Sequence, residues 1–203
     1  MAGRMPTLAV AVSLLAACGP AAAAPRYSAP PKTYLLTIDQ LVSPGFIVQT
    51  PPSEQDASVV AHGDAAVALR LAHNGLAAAA TVSYARTVDF PTSNGPVEVI
   101  DTVERFASAD GATASFTADV DARDATHGEV PTSAGVLGDQ AHADSLVMTA
   151  PDGIDAVQVT LEWRVANVVV VLVLRGRYGG TRLEDALLLA HRQTSTQLRE
   201  GYP

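Results

Sequence analysis

The stretch that most restricts the fold is VQVTLEWRV, residues 157–165, in which every odd position is apolar and every even position polar. A period of two is the mark of a strand buried on one face, because successive side chains leave a strand on opposite sides. Ala166 and Asn167 then suit a two-residue hairpin turn, where Asn tolerates positive φ. The return segment, VVVVLVL at residues 168–174, is apolar throughout and predicts a central strand covered on both faces. About seven residues cannot span a bilayer as a helix. A strand at residues 145–150, leading through Pro151-Asp152-Gly153, completes a three-stranded antiparallel meander.

The remaining elements must cover that meander. Residues 34–38 and 46–48 read as short strands around the turn signal Ser43-Pro44-Gly45, and Pro51-Pro52 ends the second. Ser53 and Asp56 form an approximate capping box for a first helix starting at Glu54. Its stripe is Ala57, Val60, Ala61, Ala65, Leu69 and Ala72, its stop is Asn74-Gly75, and Gly63 weakens its middle. Residues 81–90 alternate, with Val82, Tyr84, Val88 and Phe90 on one side, and Asn94-Gly95 turns them into a strand over residues 97–106. Asp101 breaks the rhythm of that strand and predicts a bulge or an edge position.

Ser108 is the N-cap of a second helix running to about Asp124. Asp110 meets its dipole, and Ala112, Phe116, Val120 and Arg123 follow at helical spacing. Residues 125–143 are Gly-rich and polar, a loop with room for one short strand. Thr181 and Glu184 make a capping box for the last helix, lined by Leu183, Leu187, Ala190, Thr194 and Leu198 and ended by Gly201. Strands, helix, hairpin, helix, meander, helix is the order of an α+β fold: a single mainly antiparallel sheet with about three packed helices. No period of 20 to 50 residues recurs, which excludes a solenoid.

The N-terminus carries a separate message. Arg4 and the α-amino group precede an apolar run, TLAVAVSLLAA at residues 7–17, which has the layout of an export signal. It ends in Leu15-Ala16-Ala17-Cys18, which resembles the lipobox of bacterial lipoproteins. That resemblance covers only the first eighteen residues. It implies thioether attachment of a diacylglyceryl group at Cys18, cleavage just before it, and acylation of the new N-terminus. More than one acyl chain is needed because a single chain binds a membrane only marginally. The expected organisation is a signal peptide over residues 1–17, a small, Pro-rich tether over 18–33 and a single domain over 34–203. Ordinary secretory cleavage within residues 21–24 is the alternative, and it releases a soluble product. Cys18 is the only cysteine, so the fold has no disulfide and rests on its core.

With 48% hydrophobic residues the chain can fill that core. Its formal charge is −8, and loss of Arg4 makes the mature chain more acidic, which argues against nucleic acid and against a polybasic membrane signal. The strand-to-helix loop holds a weak anion-site candidate, Arg175, Arg177, Gly179, Gly180, Thr181 and Arg182, with free N–H groups and guanidinium groups near a helix start. It lacks the Lys and the spacing of a phosphate-binding P-loop.

Asp119, Asp121, Asp124, His127 and Glu129 are crowded but match no EF-hand spacing, and His62 and His73 lack a third zinc ligand, so no metal site is expected. His142, Asp144 and Ser145 are too close in sequence to converge as a hydrolytic triad, and no G-x-S-x-G elbow occurs. Trp163 is expected in the core, with Tyr178 a weaker pocket candidate. No catalytic residue and no cofactor is assigned. The residues favour a membrane-anchored extracytoplasmic lipoprotein whose domain binds an envelope protein or a small ligand. An envelope assembly factor, and after it a secreted hydrolase, are the competing classes.

Overall fold

The computed structural model describes residues 26–126, 128–149 and 153–198. The leader, Cys18, His127, Ala150, Pro151-Asp152 and Gly201 lie outside the described residues. Strands β1 (Ile47–Gln55), β2 (Leu76–Ala85), β3 (Glu98–Phe106), β4 (Glu129–Thr132), β5 (Gln140–Met148), β6 (Ala156–Val165) and β7 (Val168–Arg177) form one sheet in the order β1-β2-β3-β7-β6-β5-β4. Every neighbouring pair is antiparallel. Among the described residues the helices are α1 (Ala57–Val60), α2 (Ala65–His73), α3 (Ala109–Asp124) and α4 (Leu183–Thr196). The fold is α+β, with the helices packed on a mainly antiparallel sheet.

The meander stands as its alternation requires. β5, β6 and β7 pair in unbroken register, and β7, apolar on both faces, lies at the middle of the sheet between β3 and β6. At the β6–β7 turn it is Ala166, not Asn167, that takes positive φ (52°). Asn167 is buried, and its amide donates to the carbonyls of Tyr27 (3.0 Å) and Phe106 (2.9 Å) while its Oδ1 accepts from the Tyr27 N–H (2.9 Å). That clasp corrects the extent of the tether. Tyr27 and Pro31 are buried, and Tyr27 stacks edge-on against Tyr34, so the ordered domain begins well before residue 34.

One sheet face carries the main core. Val99, Val103, Leu161, Trp163, Val170 and Leu172 point into it and are closed over by α4 and by the segment from Tyr27 to Leu41. That segment is not a strand: Pro31–Thr33 and Ile38–Gln40 are single 3₁₀ turns, and Tyr34, Leu35 and Leu36 between them plug the core. Apolar residues at consecutive positions resemble a strand but serve a packed turn equally well. α4 is capped one residue later than its Thr181 signal suggests. The Arg182 N–H donates to Asp185 (3.2 Å), and the buried face is Ala186, Leu189, Ala190 and Gln193.

Further differences each have a local cause. β1 runs through Pro51-Pro52 because it is an edge strand whose register shifts on either side of Thr50, where missing N–H groups cost no ladder bond. The first helix is two. His62 (φ 50°) and Gly63 (φ 82°) break it, and Asp56 and Asp64 each cap a new start by accepting two backbone N–H groups. After the break the face rotates, so Leu69 is exposed and Leu71 is buried. β2 begins and ends earlier than its alternation suggests, leaving Phe90 in a 3₁₀ turn. Asp101 lies neither at a bulge nor at an edge: it is fully buried in the regular β2–β3–β7 ladder. α3 and its Ser108 cap, which accepts from the Gly111 N–H at 3.1 Å, are as expected, and β4 is the one short strand allowed for.

Candidate cleft on the charged face of the sheet

The opposite sheet face is covered by α1, α2 and α3 around a smaller core of Leu71, Phe106, Ala112, Phe116 and Val169. Burying the Leu, Phe and Val side chains among them contributes about 1.5–3 kcal/mol each. The even positions of β6 point to this side, and they are not solvated: Thr160 and Glu162 are buried because α3 crosses above them. A strand read as buried on one face is, at its centre, buried on both. Its polar half has become the floor of a charged cluster.

Five elements supply that cluster. Arg123, in the last turn of α3, pairs with Asp144 of β5 (3.0 Å) and with Glu162 of β6, and Arg70 of α2 pairs with Asp119 of α3. His142 of β5 lies 3.4 Å from Asp124 and 3.8 Å from Asp144. Glu104 of β3 is only 5% exposed, and among the described residues nothing donates to its Oε2. Burial pushes the Glu104 carboxyl up to about 8; Asp119 and Glu162 add to this, and Arg70 and Arg123 oppose it. Burial likewise raises Glu162 to about 7 against the pull of Arg123. Asp119 and Asp144 are also raised by burial, with their arginine partners acting the other way.

Beside the cluster a cleft of about 610 Å³ opens between the helices and the sheet. Its walls are Val60, Val67, Leu71, Ile100, Val171 and Val173, and Glu104, Asp119 and Arg123 line its polar end. Thr81 and Thr102, in contact across β2 and β3 at 2.9 Å, also line it, while His62 and Asp64 stand at its rim. The volume falls within the range of small-molecule sites, about 300–1,000 Å³.

The anion-loop residues are dispersed. Arg175 turns to Glu98 (3.1 Å) and Gln158 (2.9 Å), and Arg177 donates to the Ser93 carbonyl (3.1 Å). Gly179, Thr181 and Arg182 line a separate pocket of about 300 Å³ with exposed Tyr178. Gly180 packs against the Ser93 carbonyl. Trp163 is in the core. His142 and Asp144 share the charged face, but Ser145 pairs with Val159 on the other face, so the three do not meet. His62 lies in the break between α1 and α2 and His73 at the end of α2, and among the described residues no group of three His, Cys, Asp or Glu is placed to hold a metal.

The cluster escaped sequence reading because its charges are scattered from Arg70 to Glu162. The signal that was present is parity. Glu104, Asp144 and Glu162 all fall on the same side of alternating strands, which a solvated face does not require.

Among the described residues no helix is long and apolar enough to cross a membrane. No protein-family model matches the chain, and no curated protein matches it. Among solved structures it is similar to the extracellular domain of PknH from Mycobacterium tuberculosis, with 16% identity and a TM-score of 0.47, over 80% of this chain and 93% of that one.

Proposed function

We propose that the chain is an extracytoplasmic lipoprotein, anchored through Cys18, whose domain binds a small ligand without transforming it. The observation that carries this reading is the apolar-walled cleft with a buried charged end. A surface given over to assembly has no need of such a hollow, whereas a binding domain does. Apart from Glu104, the charged groups beside it are held by one another, Arg123 by two carboxylates and Arg70 by Asp119, which favours recognition over catalysis. Anchoring raises the local concentration of a weak binder at its membrane. No cofactor and no nucleic acid enters the proposal.

The test is native mass spectrometry of protein isolated from its own membranes, wild type beside Val171→Phe, with Cys18→Ala fractionated in parallel. A small-molecule adduct on the wild type, lost from the cleft-filling variant, is the expected result. An adduct retained by Val171→Phe, or none on the wild type, overturns the cleft as the site. Cys18→Ala is expected to leave the membrane fraction or stay unprocessed. Unchanged fractionation removes the anchor.

A further inference from the structure

Resting on that reading, we infer that the cleft selects an amphiphilic organic cation, whose ammonium or amidinium head pairs with Glu104 while its hydrocarbon body lies along Val67, Leu71, Val171 and Val173.

The charge balance of the buried face points to this class. Glu104, Asp119, Asp144 and Glu162 face two arginines, with His142 beside Asp144 alone, and both arginines are committed: Arg70 to Asp119, Arg123 to Asp144 and Glu162. Glu104 has no ion-pair partner among the described residues, although it is 5% exposed and its Oε2 lies buried without a donor. A buried carboxyl left without a donor is costly, and a positive head arriving at the polar end of the cleft supplies both the missing charge and the missing N–H groups. The hollow next to it is lined by branched aliphatic side chains, which match an alkyl or aryl body. An anionic head meets Glu104 and Asp119 at the floor and Asp64 at the rim. The one further cation lining the cleft, Arg175, is held by Glu98 and Gln158. A formal charge of −8 draws cations toward the molecule.

The experiment is isothermal titration of the full-length chain with n-octylammonium, 1-octanol and octanoate from pH 6 to 8.5. An alkylammonium keeps its charge over that range, as a lysine does at a pKa of about 10.4. The groups facing Glu104 are Arg70 of α2, Asp119 and Arg123 of α3 and Glu162 of β6, and the head must displace the Glu104 proton among them. Octylammonium is therefore expected to bind about tenfold or more tighter than 1-octanol at pH 7.5, releasing a proton, with affinity rising toward pH 8.5. Glu104→Gln is expected to abolish the preference for octylammonium over 1-octanol and the pH slope. Proton release, read in two buffers on the wild type, needs no variant. Equal binding of octanol and octylammonium, or a preference that survives Glu104→Gln, overturns the cationic head alone. Failure of all three probes overturns the cleft as a ligand site and the proposed function with it.

Discussion

Replacing Asp101 with asparagine should make the protein more stable at neutral pH, although it removes a charge that accepts three hydrogen bonds. Its carboxylate receives the Leu36 N–H at 2.7 Å and the Gln193 amide at 3.0 and 3.2 Å, so it joins the N-terminal segment, β3 and α4. Burial nevertheless dominates and pushes its pKa from 3.8 to about 7, the donors opposing. Below pH 3.8 both folded and unfolded chains hold the proton and the group contributes no pH dependence. Between pH 3.8 and about 7 the unfolded chain releases a proton that the fold keeps, so stability falls as pH rises. The full loss is about 4 kcal/mol at 1.36 kcal/mol per pH unit. An asparagine carbonyl in the place of Oδ2 still accepts from Leu36 and Gln193 and does not titrate. Urea denaturation of both proteins from pH 4.5 to 7.5 measures the difference, and the variant should gain about 3 kcal/mol on the wild type across that range. Parallel curves would refute the reasoning, because they would mean that three donated hydrogen bonds hold the carboxylate ionised against its burial.

Two other perturbations test separate parts of the fold. Arg123→Met leaves Asp144 and Glu162 buried without their cation, and should cost about 3–5 kcal/mol at pH 7.5 but clearly less at pH 5, where the carboxyls take up protons; a loss independent of pH in urea titrations contradicts the ion-pair account. Gly111→Ala should destabilise the protein although alanine is the better helix former by about 1 kcal/mol, because its Cβ would lie 2.0 Å from the Asn74 carbonyl oxygen; a raised melting temperature contradicts that packing.

The sequence was most readable where one local rule met no competitor. α3 announces itself through Ser108, and the meander through alternation from residue 157, and both stand. It was least readable where a side chain answers to something distant. Asp101 looks like a defect in an apolar strand; what keeps it there is Leu36 and Gln193, remote in sequence. Glu162 and Thr160 read as solvent-facing because nothing local reports that α3 will lie over them. Pro51-Pro52 is a stop in a central strand and harmless at an edge, and the edge position of β1 is a property of the whole sheet. The loop at 175–182 shows the reverse error, since proximity in sequence grouped arginines that the strand then sent to different partners.

The clasp between Tyr27 and Asn167 sets a leash length. For a chain held at Cys18, eight residues separate the lipidated residue from Tyr27, the first buried side chain among the described residues. Fully extended, they reach about 30 Å at roughly 3.3–3.6 Å per residue. With the anchor proposed at Cys18, so short a line would keep the mouth of the cleft in the layer next to its own bilayer.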